Sequence, residues 1–489
     1  MKMPINESYV RPVIVWFRRD LRLKDNLALH AAAECRQPVI CIYVREHGAP
    51  HAGALGAAQA WWLHHSLAAL DQSLKDAGNR LILLSGDPHD VLEHLIEQTG
   101  ATAVYWNRRY AADGIAVDTR IKSRLRKKGV DAHSFAGFLM HEPGKLLTKQ
   151  DRHYSVFTPF WRAFEAGFHP LDPLPAPKTI AAPDTFPAGE ALDHWNLLPK
   201  KPNWARGFSD HWTPGEKGAL ARLDDFLHEA IAGYKQGRDQ PAKSGTSRLS
   251  PHLAMGELSP HRIWHATAPL FDASQGHDAA SFRRELVWRE FSWHMMFHRP
   301  DMASVNLDRR FDAFEWDTEK KHLSAWQRGM TGYPIVDAGM RELWQTGFMH
   351  NRVRMIVASF LIKDLLIDWR VGERWFRDTL VDIDCANNAM NWQWVAGCGA
   401  DASPWFRIFN PVKQGEAFDA DGAYVRRHCP ELARLPEKFI HRPFEAPLNM
   451  LEEAGVTLGK TYPAPIVAHD KARDRALRAF KSLSKTNAS

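Results

Sequence analysis

Sulfur is scarce in this chain. Five of its 489 residues are cysteine, Cys35, Cys41, Cys385, Cys398 and Cys429, and an odd, widely spaced set leaves neither a disulfide framework nor a paired metal-ligand pattern. We therefore expect reduced thiols, no bound metal and a cytoplasmic location. Long hydrophobic runs are missing as well. The most apolar stretch, residues 355–362, stops at Lys363 and Asp364, and the N-terminal MKMPINESYVRPV has no uninterrupted apolar segment, so neither a membrane span nor a signal peptide is expected. No GxGxxG follows the first apolar run, which excludes the usual dinucleotide fingerprint. There are no internal repeats. Charge of one sign barely prevails: 63 Lys and Arg against 57 Asp and Glu leave a net +6, an excess that favours an anionic partner without requiring one.

What remains is an ordinary globular composition, 45% hydrophobic and 25% charged, in a chain longer than one hydrophobic core usually supports. Two domains are expected. From Pro12 to about Phe135, short apolar runs at 13–17, 39–44, 81–85, 103–107 and, more weakly, near Ala132 alternate with helical patterns at 54–77, 90–99 and 113–127. That alternation predicts an α/β, Rossmann-like parallel-sheet domain over residues 1–140. Residues 143–214 hold 11 of the 30 prolines, including PLDPLPAP, and so much proline predicts an irregular interdomain linker over 141–213. From Pro214 the apolar period is helical, which predicts an all-α domain over 214–489, ending in a short basic tail at 471–485.

The unusual residue is tryptophan, 19 in all and 14 of them beyond residue 190; it can fill a core, stack on a base or relay an electron. In RELVWRE, Glu285, Trp288 and Arg289 sit at i, i+3 and i+4 on one helix face. HNRVRM does the same for Asn351, Arg354 and Met355, at the polar end of a helix that then turns apolar. In NNAMNWQWVAG, Trp392 and Trp394 are two residues apart, about 200° around a helix, and so face opposite sides. GTSRLS at 245–250 offers small hydroxyl residues and backbone donors before SPHLAMGELS, the pattern of a turn that opens a helix and holds phosphate, or of a simple N-cap.

Taken in order, WFRRDLR, GTSRLSPHLAMGELSP, ELVWREF, TGYPIVDAGMREL, MHNRVRM, NNAMNWQW, FRIFNP and YPAPIV resemble the photolyase and cryptochrome flavoproteins over nearly the whole chain, and are most similar to the microbial class I cyclobutane pyrimidine dimer photolyases. The resemblance implies that the helical domain binds FAD. The Tyr234 backbone region, Thr246, Ser247, Leu249 and Ser250 would hold the diphosphate, with Arg289 and Arg354 adding positive charge. Arg354 would pair with Asp382, and Asp382 and Asp384 would fix the ribityl chain and the ring edges. Asn388 would face flavin N5, where a neutral amide is compatible with the anionic reduced flavin. Phe282 and Phe348 stand where several relatives carry tryptophan near the flavin.

On the substrate side the resemblance makes Trp288 and Trp394 the walls of a pocket for a flipped-out dimer, with Glu285 and Asn351 bonding the pyrimidine edges and Met355 beside them. Trp392, Trp369 and Trp316 match the family's electron-transfer chain. Arg238 and Arg352 resemble residues that grip the phosphates around the lesion. The implied activity is light-dependent repair of pyrimidine dimers in DNA by a monomer. Its antenna chromophore would be methenyltetrahydrofolate or 8-hydroxy-5-deazaflavin, between which WNRRY at 106–110 and the loop after Val44 do not choose. A cryptochrome of the same fold would normally carry a long C-terminal extension.

Overall fold

The computed structural model describes residues 10–46, 55–271, 275–319, 321–402 and 406–485. Five strands, β1 (Val13–Phe17), β2 (Val39–Glu46), β3 (Leu81–Gly86), β4 (Ala103–Asn107) and β5 (Asp131–Phe135), form a sheet of order β3-β2-β1-β4-β5 with every neighbouring pair parallel. The central strands β1 and β4 are buried throughout, so their unbroken apolar runs are what a sheet covered on both faces demands. Helices α1 (Leu27–Glu34), α2 (Ala57–Asp76), α3 (Pro88–Thr99) and α4 (Ala112–Lys127) connect the strands. The sheet is as expected, but α1 was not anticipated. Its sequence, LALHAAAE, is too short and too rich in alanine to show a period, and it is started by the Asn26 side chain accepting from the Leu29 N–H.

The proline-rich stretch is irregular over most of its length, as its composition predicts, but one segment is not. That segment is helix α5 (Phe157–Gly167), which buries Phe157, Phe160 and Phe164 at the i, i+3, i+7 positions of an apolar stripe. Ile180, Trp195, Leu197, Phe208 and Trp212 of the same stretch are buried in one cluster with β1, β2 and α2. Proline density averaged over the whole segment hides these local patterns.

Beyond residue 214 the described residues contain helices and turns and no strand, only one isolated bridge between Leu458 and Tyr462. The elements that position the site are α6 (Ser250–Met255), α7 (Gly276–His298), α8 (Asn351–Ser359), α9 (Trp369–Thr379), α10 (Cys385–Ala396) and the closing α11 (His469–Lys485). The basic tail is thus a helix, and the apolar segment after α8 widens into a single π turn over Phe360–Asp364. No described helix is long and apolar enough to cross a membrane.

The two halves are bolted together by buried polar bonds. The Gln59 amide donates to the Ile383 carbonyl at 2.8 Å and the Trp62 indole to Glu257 at 2.9 Å. At Gly256 (φ +66°), a Cβ would lie 2.1 Å from the Arg19 carbonyl oxygen, so the backbones approach to a distance only glycine permits.

Candidate functional site

Arg238 and Asp239, neighbours in the chain, tie two helices to each other. Arg238 donates to the carboxylate of Glu285 on α7, and Asp239 accepts from Arg352 on α8 at 2.7 Å. Arg352 also reaches the Met355 sulfur at 3.8 Å and lies over the Phe418 ring. Glu285, Arg352 and Met355 therefore meet around one short segment, with Asn351 exposed at the start of α8. The pairing bears on the role expected for Arg238 and Arg352. Both already have carboxylate partners, and burial works against the charge of Arg238 while its bond to Glu285 and that carboxylate's field outweigh it and hold the guanidinium above its usual value.

A second cluster lies at the same end of α8, around Arg354. Arg354 donates to Asp382 Oδ2 at 2.8 Å and to the Met349 carbonyl at 2.7 Å, and the Ser250 hydroxyl donates to the same Asp382 oxygen at 2.7 Å. The other oxygen of this buried carboxylate, Oδ1, has no partner. An orphaned buried acceptor costs on the order of 1–3 kcal/mol, which is what a site built for a donor on a bound group presents. Asp384 caps α10 by accepting from the Asn387 N–H at 2.9 Å and takes the Trp293 indole N–H at 2.8 Å. One turn on, Asn388 gives its amide nitrogen to the backbone carbonyl and carboxylate of Glu373 at 3.1 and 2.8 Å. That fixes the amide's orientation and leaves Oδ1 as the atom to meet a ligand.

The loop before α6 is arranged for close approach. A Cβ at Gly245 would lie 2.7 Å from the Gly237 carbonyl oxygen, and Arg248 takes a left-handed φ of 52°, uncommon for a residue with a side chain. Thr246 and Ser247 are half-buried beside buried Leu249, and the Ser247 hydroxyl accepts from the Leu249 N–H at 3.4 Å. Tyr234 and Phe282 are buried edge to face, with ring centroids 5.4 Å apart. Phe348 is buried under the guanidinium groups of Arg248 and Arg354.

Arg289 departs from its expected place. It bonds Glu290 and the Phe138 carbonyl, both at 3.1 Å, and covers the Phe138 ring, so its charge is directed at the interdomain seam. Trp288 stacks on Phe157 of the proline-rich stretch, 3.5 Å between centroids and 6° from parallel, and one ring face is thereby already covered. Trp394 is half-buried and bonds the Asp401 carbonyl, on the side of α10 opposite Trp392, as the spacing predicts.

Trp392 and Trp369 are buried, at 2% and 0% exposure, and Trp316 is half-buried. A Cβ at Gly372 would lie 2.1 Å from Trp392 Cη2, so α9 is pressed onto that ring. The Asp317 N–H bonds the Leu366 carbonyl at 2.7 Å, which pins the Trp316 segment to the turn before Trp369. The Trp369 indole donates to Asn306 at 2.9 Å, whereas Trp392 Nε1 has no partner.

His350, one residue before Asn351, is not on the helix. It is the N-cap of α8, its Nδ1 accepting from the Arg352 N–H at 3.2 Å, and burial lowers its pKa to about 4. Asp239, Glu373 and Phe157 escaped the sequence reading. Glu373 had a signal, since it stands four residues before Arg377 and pairs with it; the other two act only through contacts distant in sequence. Of the antenna segments, 106–110 lies in and after β4, while residues 47–54 fall outside the described residues.

Comparison with known proteins accords with this geometry. Residues 282–482 match the family model for the FAD binding domain of DNA photolyase, and residues 13–178 match that for DNA photolyase. The chain is 60% identical over 475 residues to a deoxyribodipyrimidine photo-lyase of Agrobacterium fabrum, covering 97% of this chain and 98% of that one. It is 37% identical to cryptochrome-1 of Arabidopsis thaliana over 96% of this chain and 70% of that protein. The crystal structure of a bacterial class III photolyase from Agrobacterium tumefaciens superposes with a TM-score of 0.96 at 60% identity, covering 99% of this chain and all of that one. The expected class I subtype is therefore not supported.

Proposed function

Because the chain belongs to the photolyase and cryptochrome family, we propose that it repairs cyclobutane pyrimidine dimers in DNA by light-driven electron transfer, with FAD held between α6, α8 and α10. The observation that carries the reading is the Arg238–Asp239 segment, which draws Glu285 and Arg352 from two helices to one place and sets a carboxylate, a thioether and the exposed Asn351 side by side.

The buried polar atoms fit the cofactor. Asp382 Oδ1 is a buried acceptor without a donor among the described residues, the Asn388 amide nitrogen is committed to Glu373, and the Gly245–Ser250 loop offers hydroxyls and backbone to a diphosphate. When bound, reduced FAD supplies on light absorption the electron that opens the dimer and accepts it back. The chain's own residues do the rest. Trp288 and Trp394 offer flat apolar surface to the extruded dimer, and a dimer that stacks poorly costs less to extrude than normal bases. Asn351 can donate its amide N–H to a pyrimidine carbonyl and stabilise negative charge developing there, while Glu285, steadied by Arg238, accepts from a pyrimidine N–H. Trp392, Trp369 and Trp316 pass electrons inward to restore the reduced state. Arg352 meets DNA phosphate near the pocket, and an antenna chromophore, a folate or a deazaflavin, is assigned to the sheet domain.

The cyclobutane dimer is preferred over the (6-4) photoproduct because repair of the latter moves an oxygen or nitrogen between bases and needs a proton donor. Asn351 and Met355 cannot act as general acids near neutral pH, and His350 is committed to capping α8. Oligonucleotides bearing each single lesion, illuminated with the reduced protein, test this. Restoration of the cyclobutane substrate alone is expected. Restoration of the (6-4) substrate would reassign the lesion, and restoration of neither would point to a photoreceptor.

A further inference from the structure

Outside the flavin and lesion sites, a surface groove of about 450 Å³ opens between the Trp316 segment and the C-terminal helix α11. It is lined by Glu315, Trp316, Asp317 and Leu366 on one side and by Arg475, Arg478 and Ser482 on the other. On α11, Arg478 follows Arg475 by three residues and Ser482 follows Arg478 by four, so all three lie on one helix face. Arg475 has one bond, to the Asp364 carbonyl at 2.8 Å. Arg478 and Glu315 are exposed and enter no ion pair among the described residues, and no ion pair joins the two walls across the groove. A positive wall thus faces a negative wall that also carries Trp316.

We infer that this groove binds a small zwitterionic thiol, an amino acid or short peptide carrying cysteine, and that the thiol re-reduces Trp316. A simple anion would meet Glu315 and Asp317, and a simple cation would meet the two arginines. A molecule with separated carboxylate and ammonium groups satisfies both walls, and the volume suits a tripeptide. The proposal rests on the reading of Trp316 as the outer member of the electron-transfer chain. Having given an electron inward and its indole proton to water, Trp316 is a neutral radical. The thiol returns one electron and one proton: its S–H bond breaks, the indole N–H bond re-forms, and two of the resulting thiyl radicals combine into a disulfide. Leu366 borders the groove and bonds the segment that carries Trp316, so an occupant sits against the ring it reduces.

The test uses the FAD-containing protein with glutathione as the probe. Photoreduction rate should saturate with glutathione and rise linearly with uncharged 2-mercaptoethanol, and S-methylglutathione, which cannot donate hydrogen, should compete with glutathione. Arg478→Ala should weaken glutathione binding by about tenfold in calorimetry, as loss of one charge-assisted contact implies, and raise the half-saturating concentration equally. Repair by chemically pre-reduced protein should be unchanged. Linear dependence on both thiols, or calorimetric binding unaffected by Arg478→Ala, would overturn the site. If Arg478-dependent binding persists while Trp316→Phe leaves photoreduction unaltered, the groove stands as a binding site, and both the relay reading and the assigned re-reduction fall.

Discussion

Arg238 and Glu285, 47 residues apart in sequence, meet in an ion pair whose side chains are 24% and 32% exposed. An arginine expected to hold DNA phosphate instead holds the acid expected to touch the lesion. Arg238→Ala should therefore reduce discrimination between damaged and undamaged DNA more than it reduces affinity for either, as competition binding with dimer-containing and plain duplexes would show. Equal loss for both would restore the phosphate role.

Arg352 is shared with Asp239, which bears on counterion release. A fully free phosphate contact contributes about 0.9 to the slope of log K against log salt on duplex DNA. Arg352→Ala should flatten the slope by less than that while weakening damaged and undamaged DNA alike. Anisotropy titrations across salt concentrations check it, and an unchanged slope would remove Arg352 from the phosphate interface.

Asp382→Asn keeps the shape of the side chain but removes the charge that Arg354 and Ser250 address. Charged hydrogen bonds of this kind are worth about 1.5–3 kcal/mol each, so FAD affinity should fall at least tenfold. The ratio of flavin to protein absorbance after dialysis reports this, and full retention would contradict the placement of the cofactor.

Trp392→Phe removes an indole whose Nε1 has no partner and so sacrifices no hydrogen bond. Photoreduction of oxidised FAD should be lost, while repair by chemically reduced protein should persist. Loss of repair in the reduced variant would refute the division between relay and lesion site.

His350 carries a pH dependence with a definite sign. Its pKa falls from 6.5 to about 4 through burial, so the native state binds fewer protons than the unfolded chain. The stabilisation is complete above pH 6.5 and is lost as pH falls toward 4. Protonation also takes away the acceptor that caps α8. Urea titrations should show stability declining over that window by on the order of 3 kcal/mol, with the decline shallower in His350→Asn, which retains a capping oxygen. An equal slope in the variant would place the pH dependence elsewhere.

The sheet was legible because its central strands are apolar on both faces and end at polar turns; 13–17 and 103–107 are the observed bounds of β1 and β4. Spacing correctly set Trp392 and Trp394 on opposite sides of α10, and the resemblance correctly paired Arg354 with Asp382. What stayed hidden depends on partners remote in sequence. That Arg289 turns to Phe138, Trp288 to Phe157 and Arg238 to Glu285 follows from tertiary packing, which no local period encodes. Residues 157–167 were obscured for a different reason, since proline content was judged over a window several times longer than the helix.

The buried cluster beneath β1 and β2 also contains Met255, Phe348 and Val381 from the helical half and Trp195, Phe208 and Trp212 from the proline-rich stretch. Neither architecture owns that core. Heating or denaturant should consequently find a single cooperative unit, because detaching the sheet exposes apolar surface on both sides of the seam at once. The same sharing restricts inheritance: a sheet domain with a different chromophore preference could not be exchanged as a cassette unless those six helical and connecting residues changed with it.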